Sequence, residues 1–320
     1  MKRVAIFAAV IALGLTSTMG LRIRPVLAQN PTVSSASSSR SSANPVTIPI
    51  SIKVSGEKPE PELQTIYFTV SEDGEPQTVL SIRSFGTNSP LTLAVLIQDD
   101  LVSSIGNEIK SLREFIRLLP RSSRVLVGYV RSGSLQVRQK FTNDLEKAGK
   151  ALRIPVGVAS AAPYNPYVEV IEAIKRFDSQ PSGRRAILLV SDGLDTSRGL
   201  DSSSPTQSLD LQRAITEAQR RGIAIYSFYA PSVGARDQIL IVNAQSSLQR
   251  LSDDTGGRAF FQGTGAPVSF DPFIREVSSS LDKQIALTYL STHPGKGFHR
   301  IKVSSLTPGV KVEYPSGYTR

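Results

Sequence analysis

Two adjacent aspartates, Asp99 and Asp100, follow the apolar run Leu91 to Ile97, and a third, Asp192, follows the run Ala186 to Val190. In an open α/β sheet the carboxyl ends of such strands converge on one crevice, where side-chain oxygens can meet a ligand. Carboxylates and hydroxyls are what a hard cation takes: magnesium wants six oxygens in an octahedron and keeps several waters. Asp99, Asp100 and Asp192 are the candidate carboxylates, with Asp195 and Thr196 as further oxygens. The same residues have a purely local reading. Asp99 and Ser103 can cap the helix that starts beside them, and Asp192-Gly193 can be a strand-to-loop turn.

Other chemistries are poorly supplied. The 320 residues contain no Cys, which excludes disulfides, thiolate metal sites and a cysteine nucleophile. The two histidines, His293 and His299, both lie near the C-terminus, so a His-relayed triad or an HExxH site is not expected, and His299 reads as a surface-strand residue. There is no Gly-x-Ser-x-Gly elbow, and Thr255-Gly256-Gly257 lacks the rest of a phosphate-binding motif and reads as a turn. No enzymatic activity is expected. The catalytic alternative is an exported hydrolase using Ser or Asp at the same crevice.

Residues 1–28 hold no acid: Lys2 and Arg3 precede the apolar stretch Val4 to Leu15, and Val26-Leu27-Ala28 places small residues before Gln29. That is a secretory leader pattern, pointing to a secreted, periplasmic or cell-envelope location, with an uncleaved anchor as the other option. After cleavage no membrane span is expected. Cleavage would lower the formal charge of +10 by four, and the remaining basic residues form no block interleaved with aromatics, so nucleic acid is not an expected partner.

The elements that must position the aspartates follow from the patterning. Residues 29–45 are Ser-rich and read as a flexible linker. Residues 46–86 alternate apolar and polar, with Asp73-Gly74 suited to a hairpin turn, and read as a small β module. Residues 87–283 alternate buried strands with helices near 103–119, 144–152, 168–177 and 209–221, which predicts a doubly wound, mostly parallel α/β sheet. Residues 284–320 read as C-terminal strands that pack on the N-terminal module.

At its strand ends the chain resembles the von Willebrand factor type A domain, in which a strand leads into Asp-x-Ser-x-Ser, a later loop supplies Thr and another strand ends in Asp-Gly. Laid on that pattern, Asp99 and Ser103 match, Leu101 stands at the first serine, and Asp192-Gly193 match the last part. The threonine position falls near Val168, and no Ser or Thr lies between Ser160 and Ser179. The resemblance implies a degenerate metal-ion-dependent adhesion site with Asp99, Ser103 and Asp192 as its metal ligands and two neutral ligands missing. The chain is similar over nearly its whole mature length to a secreted bacterial subgroup of such proteins, first recognised in Acidobacteria. The similarity is carried by Phe68 to Gln77, by Leu251 to Phe261 with its Thr255-Gly256-Gly257, and by the tail from Gln284 to Tyr318. It implies a secreted binding domain rather than an enzyme.

The Pro-rich loop 155–167 brings Tyr164, Asn165 and Tyr167 to the neighbourhood of the expected site, and exposed tyrosines on stiff loops often contact protein ligands. The alternative is that both rings pack on the sheet. Together these readings predict a non-catalytic recognition protein that binds a protein or cell-envelope ligand through Tyr164, Asn165, Tyr167, Asp195 and Thr196. No cofactor is expected, and any magnesium would be weakly held. The alternative is a magnesium-dependent binder of the same fold.

Overall fold

The structure, a computed structural model, describes residues 44–54, 63, 66–85, 89–199, 203–234 and 237–320. The expected leader, and all of the linker except Asn44 and Pro45, lie outside the described residues. Those two residues already belong to the first strand, β1 (Asn44–Val54).

One sheet has six strands: β4 (Leu91–Gln98), β5 (Arg124–Arg131), β6 (Ser134–Thr142), β7 (Arg184–Ser191), β8 (Ala224–Tyr229) and β9 (Ala259–Phe260). Their order is β6-β5-β4-β7-β8-β9, parallel throughout except for the edge strand β6. Every residue of β4 is buried, because helices cover both faces of the sheet. Leu93, Val95 and Ile97 face the core built with α1 (Ile109–Arg117), α2 (Leu145–Lys150) and α6 (Asp271–Asp282). Ala94 and Leu96 face the core built with α3 (Pro166–Lys175), α4 (Leu209–Arg220) and α5 (Gln238–Asp254). The period of two along a strand sorts these side chains, and each fully buried aliphatic contributes roughly 1.5–3 kcal/mol.

The helix expected over 103–119 opens as a 3-10 turn over Ser103–Glu108 before α1 begins. Helices α5 and α6 have no counterpart in the expected element list.

The second sheet departs further from expectation. It is antiparallel and seven-stranded, formed by β1 with β2 (Phe68–Glu72), β3 (Glu75–Ser84), β10 (Gln284–Ser291), β11 (Phe298–Ser305), β12 (Val310–Glu313) and β13 (Gly317–Thr319). The order β12-β1-β10-β3-β2-β11-β13 interleaves N-terminal and C-terminal strands, so the doubly wound description covers only the other sheet. The C-terminal strands do not pack on a finished module: β10 lies between β1 and β3 and supplies the hydrogen bonds each of them needs. The turn between β2 and β3 is the Asp73-Gly74 pair, with φ of 50° and 90°, both positive as a type I′ hairpin requires.

The two sheets are held together by specific bonds. Helix α6 runs directly into β10, Ser51 Oγ donates to the Ser280 carbonyl at 3.2 Å, and the buried Arg184 guanidinium donates to the carbonyls of Ser89 and Leu281. Thr255 bridges to Pro315, and the Thr255 hydroxyl accepts the Ile225 N–H at 3.1 Å. The Thr-Gly-Gly stretch is therefore a structural turn: a Cβ at Gly257 would lie 2.0 Å from the Ile225 carbonyl oxygen. Among the described residues, no helix is long and apolar enough to cross a membrane.

Candidate functional site

The alternation that sorts the β4 side chains continues past the end of the strand and decides which acids reach the crevice. Gln98 and Asp100 fall on the α5 side together with Asp192, and Asp99 falls on the other. Asp99 was expected to ligate a metal, but its side chain is fully buried against Arg153, whose guanidinium donates to both carboxylate oxygens at 2.6 and 2.8 Å. The Val156 N–H adds a third bond at 3.0 Å. Burial alone would raise the Asp99 pKa, but Arg153 and the Val156 N–H outweigh it and hold the carboxyl below its usual range. Ser103 is exposed at the start of the 3-10 turn and lines no part of the crevice.

Gln98 takes the position expected for the first aspartate. Its Oε1 accepts the Ser191 hydroxyl and, at 3.2 Å, the Asp192 backbone N–H. A backbone N–H can only donate, which fixes the amide orientation and turns Nε2 towards Asp100 Oδ1, at 2.8 Å. Asp192 Oδ1 accepts the Leu194 N–H at 3.0 Å. Gly193 follows at φ 74°, where a Cβ would come within 2.5 Å of Leu248 Cγ, so the turn into the next loop is pinned against α5.

Asp100 and Asp192 thus share one low-dielectric recess. Burial, and then the charge of Asp192, push the Asp100 carboxyl up to about 6. Burial also raises Asp192, against hydrogen bonds from the Leu194 N–H, Ser232 and Gln98. The recess opens into a cavity of about 410 Å³. Ala162 and Pro163 from the loop before α3 form one wall, Ile241 and Ala244 from α5 another, and Thr196 and Ser232 contribute hydroxyls.

The remaining expected contact residues separate into two groups. Tyr164 is 68% exposed, and its carbonyl accepts the Thr196 N–H at 2.8 Å, which ties the two loops beside the cavity together. Tyr167 is fully buried in the core and its hydroxyl donates to the Gly193 carbonyl at 2.6 Å, so it supports the site from behind. Asn165 caps α3 by accepting the Tyr167 N–H and donates to Asp210, while Asp195 accepts the hydroxyls of Ser197 and Ser208. Both are buried and position loops.

Magnesium does not fit this donor set. The Gln98 amide aims an N–H donor at the Asp100 carboxylate, one oxygen of Asp192 is committed to the backbone, and the walls are largely apolar, far from six converging oxygens. Covalent catalysis is also poorly provided for. The Ser191 hydroxyl donates to Gln98 and accepts the Gly193 N–H, and both imidazoles lie in the antiparallel sheet or the loop beside it. What the arrangement can do is accept a cationic or hydrogen-donating group.

No family model matches the chain, and no curated protein matches it. Among solved structures, the chain is similar to an aerotolerance-related membrane protein from Bacteroides fragilis NCTC 9343, at 12% identity and a TM-score of 0.40, over 60% of this chain and 99% of that one. It is similar to BatB from Bacteroides thetaiotaomicron at 14% identity and a TM-score of 0.40, over 60% and 98%. It is also similar to the human COPII-coat protein Sec24c at 11% identity and a TM-score of 0.39, over 72% and 44%. Likeness at this level establishes neither a shared family nor a shared function.

Proposed function

We propose that the chain is an exported, non-catalytic recognition protein of type A-like architecture. It binds a protein or cell-envelope ligand at the carboxyl end of the six-stranded sheet, without a firmly bound metal. The observation that carries this reading is the recess in which Asp100 and Asp192 repel each other behind apolar walls. A lysine or arginine head group entering it would relieve the repulsion, while its stem would cover the walls. The loop and helix segments that line the cavity also expose Ile154, Val156, Tyr164 and Ile239, an apolar margin suited to a macromolecular partner.

The test is capture of ligand from the native envelope fraction by the purified chain, repeated in chelator, in magnesium, with D100N/D192N and with Y164S. Capture that survives chelator and falls at least tenfold in both variants is expected. Capture that requires magnesium would favour the metal-dependent alternative. Capture indifferent to both variants would place the ligand elsewhere on the molecule.

A further inference from the structure

Far from the crevice, the only two histidines of the chain converge on the β2–β3 hairpin. Glu72, the last residue of β2, is fully buried at its side chain. Its Oε1 accepts the Tyr318 hydroxyl at 2.8 Å and the Ser291 hydroxyl at 3.1 Å, which holds the carboxylate in one orientation. Among the described residues its Oε2 has no hydrogen-bond partner. Facing it at 3.8 Å is His293 Nδ1, also buried and, among the described residues, also without a hydrogen-bond partner. A buried carboxylate oxygen and an imidazole nitrogen pointed at each other beyond hydrogen-bond range form an incomplete pair. Asp73 supplies a third atom, and one ligand atom from each of Glu72, Asp73 and His293 lies within 4.8 Å of the others.

We infer that Glu72, Asp73 and His293 form a binding site for a divalent transition metal of the zinc class. Zinc–ligand bonds of about 2.0–2.2 Å in a tetrahedron put ligand atoms ~3.4 Å apart, so the 3.8 Å gap between Glu72 and His293 closes by a few tenths of an ångström. An imidazole ligand selects zinc and its neighbours over magnesium or calcium. The surroundings match such a site. Glu75 Oε2 lies 3.5 Å from His293 Nε2, where a carboxylate favours the Nε2–H tautomer and leaves the Nδ1 lone pair for the metal. Arg320 donates to the His293 carbonyl at 2.8 Å and steadies the loop.

His299 stands outside the ligand set and orients Asp73. One ring nitrogen faces Asp73 Oδ2 and the other the Gly295 carbonyl, each at 2.9 Å, which holds the Asp73 carboxylate in place at the hairpin. Open coordination positions fall to water.

The experiment is calorimetric titration of zinc chloride into the chelator-treated full chain, with magnesium chloride as the comparison. One saturable zinc site per chain is expected and none for magnesium. Affinity should fall at least tenfold in His293→Ala and Glu72→Gln, and be unchanged in Asp100→Asn. His293 is partly exposed, so its variant decides the matter if Glu72→Gln fails to fold. In melting curves zinc should stabilise the wild type and not His293→Ala. Absence of saturable zinc binding, or a loss smaller than tenfold in His293→Ala, would overturn the assignment. Because neither variant touches the crevice, the outcome is independent of the recognition reading.

Discussion

A shift of one residue separates two aspartates with opposite fates. Asp99 is neutralised by Arg153 and serves the fold, whereas Asp100 is buried beside Asp192 and left with a carboxyl pushed up to about 6. That elevated value makes a prediction with a definite sign. Between the carboxyl's ordinary 3.8 and about 6, the folded chain holds a proton that the unfolded chain has released, so this group's contribution to stability falls as pH rises through that window. Asp100→Asn removes the repulsion and keeps an oxygen for the Gln98 amide. In urea unfolding the variant should match the wild type near pH 4 and exceed it by roughly 1–2 kcal/mol at pH 7, after allowing for solvent screening. An advantage that does not grow with pH would mean the two carboxylates scarcely interact. The three aspartates were legible from the sequence as strand-end acids, but the motif alignment put Asp99 in the site. The period of two through Ala94, Leu96 and Gln98 was the better guide, since it extends directly to Asp100. The Glu72 cluster was not legible, because His293 lies more than 200 residues from the Glu72-Asp73 pair and meets it only through strand pairing.

At the scale of elements, the buried strands β4, β7 and β8 were legible because apolar runs covered on both faces leave little ambiguity. Helix α5 was not. Its opening run Ile239-Leu240-Ile241-Val242 looks like a strand, and what makes it a helix is the cap by Asp237, which accepts the N–H groups of Ile239 and Leu240. Helix α3 depends on the same device, and its cap, Asn165, also carries the loop on which Tyr164 is displayed. Asn165→Ala should therefore lower stability by about 1–2 kcal/mol, by removing the cap and the bond to Asp210, whereas Tyr164→Ser should stay within about 0.5 kcal/mol of the wild type. Denaturant midpoints check both. Equal losses would mean that the exposed ring packs more firmly than its surface position indicates.

For the whole molecule, the decisive feature is that the second sheet is sewn from both ends of the chain. Local patterning revealed its strands but not their order, because pairing between β1 and β10 spans more than 200 residues and leaves no short-range signal. Deleting residues 284–320 should not leave a trimmed but folded protein. It removes the strand between β1 and β3, bares two hydrogen-bonding edges and uncovers Ile48, Ile50 and Ile52, so the truncated chain should elute as aggregate in size-exclusion chromatography. A monodisperse truncation product with native circular dichroism would contradict this.

The same stitching sets a timetable for each new molecule. As it leaves the ribosome, β1 and β3 have emerged about 200 residues before β10, so the parallel half can condense while β1 waits without a neighbour and β3 has only β2. During that wait β1 and the open edge of β3 are what a chaperone can grip. The last few dozen residues are the latch that ends it.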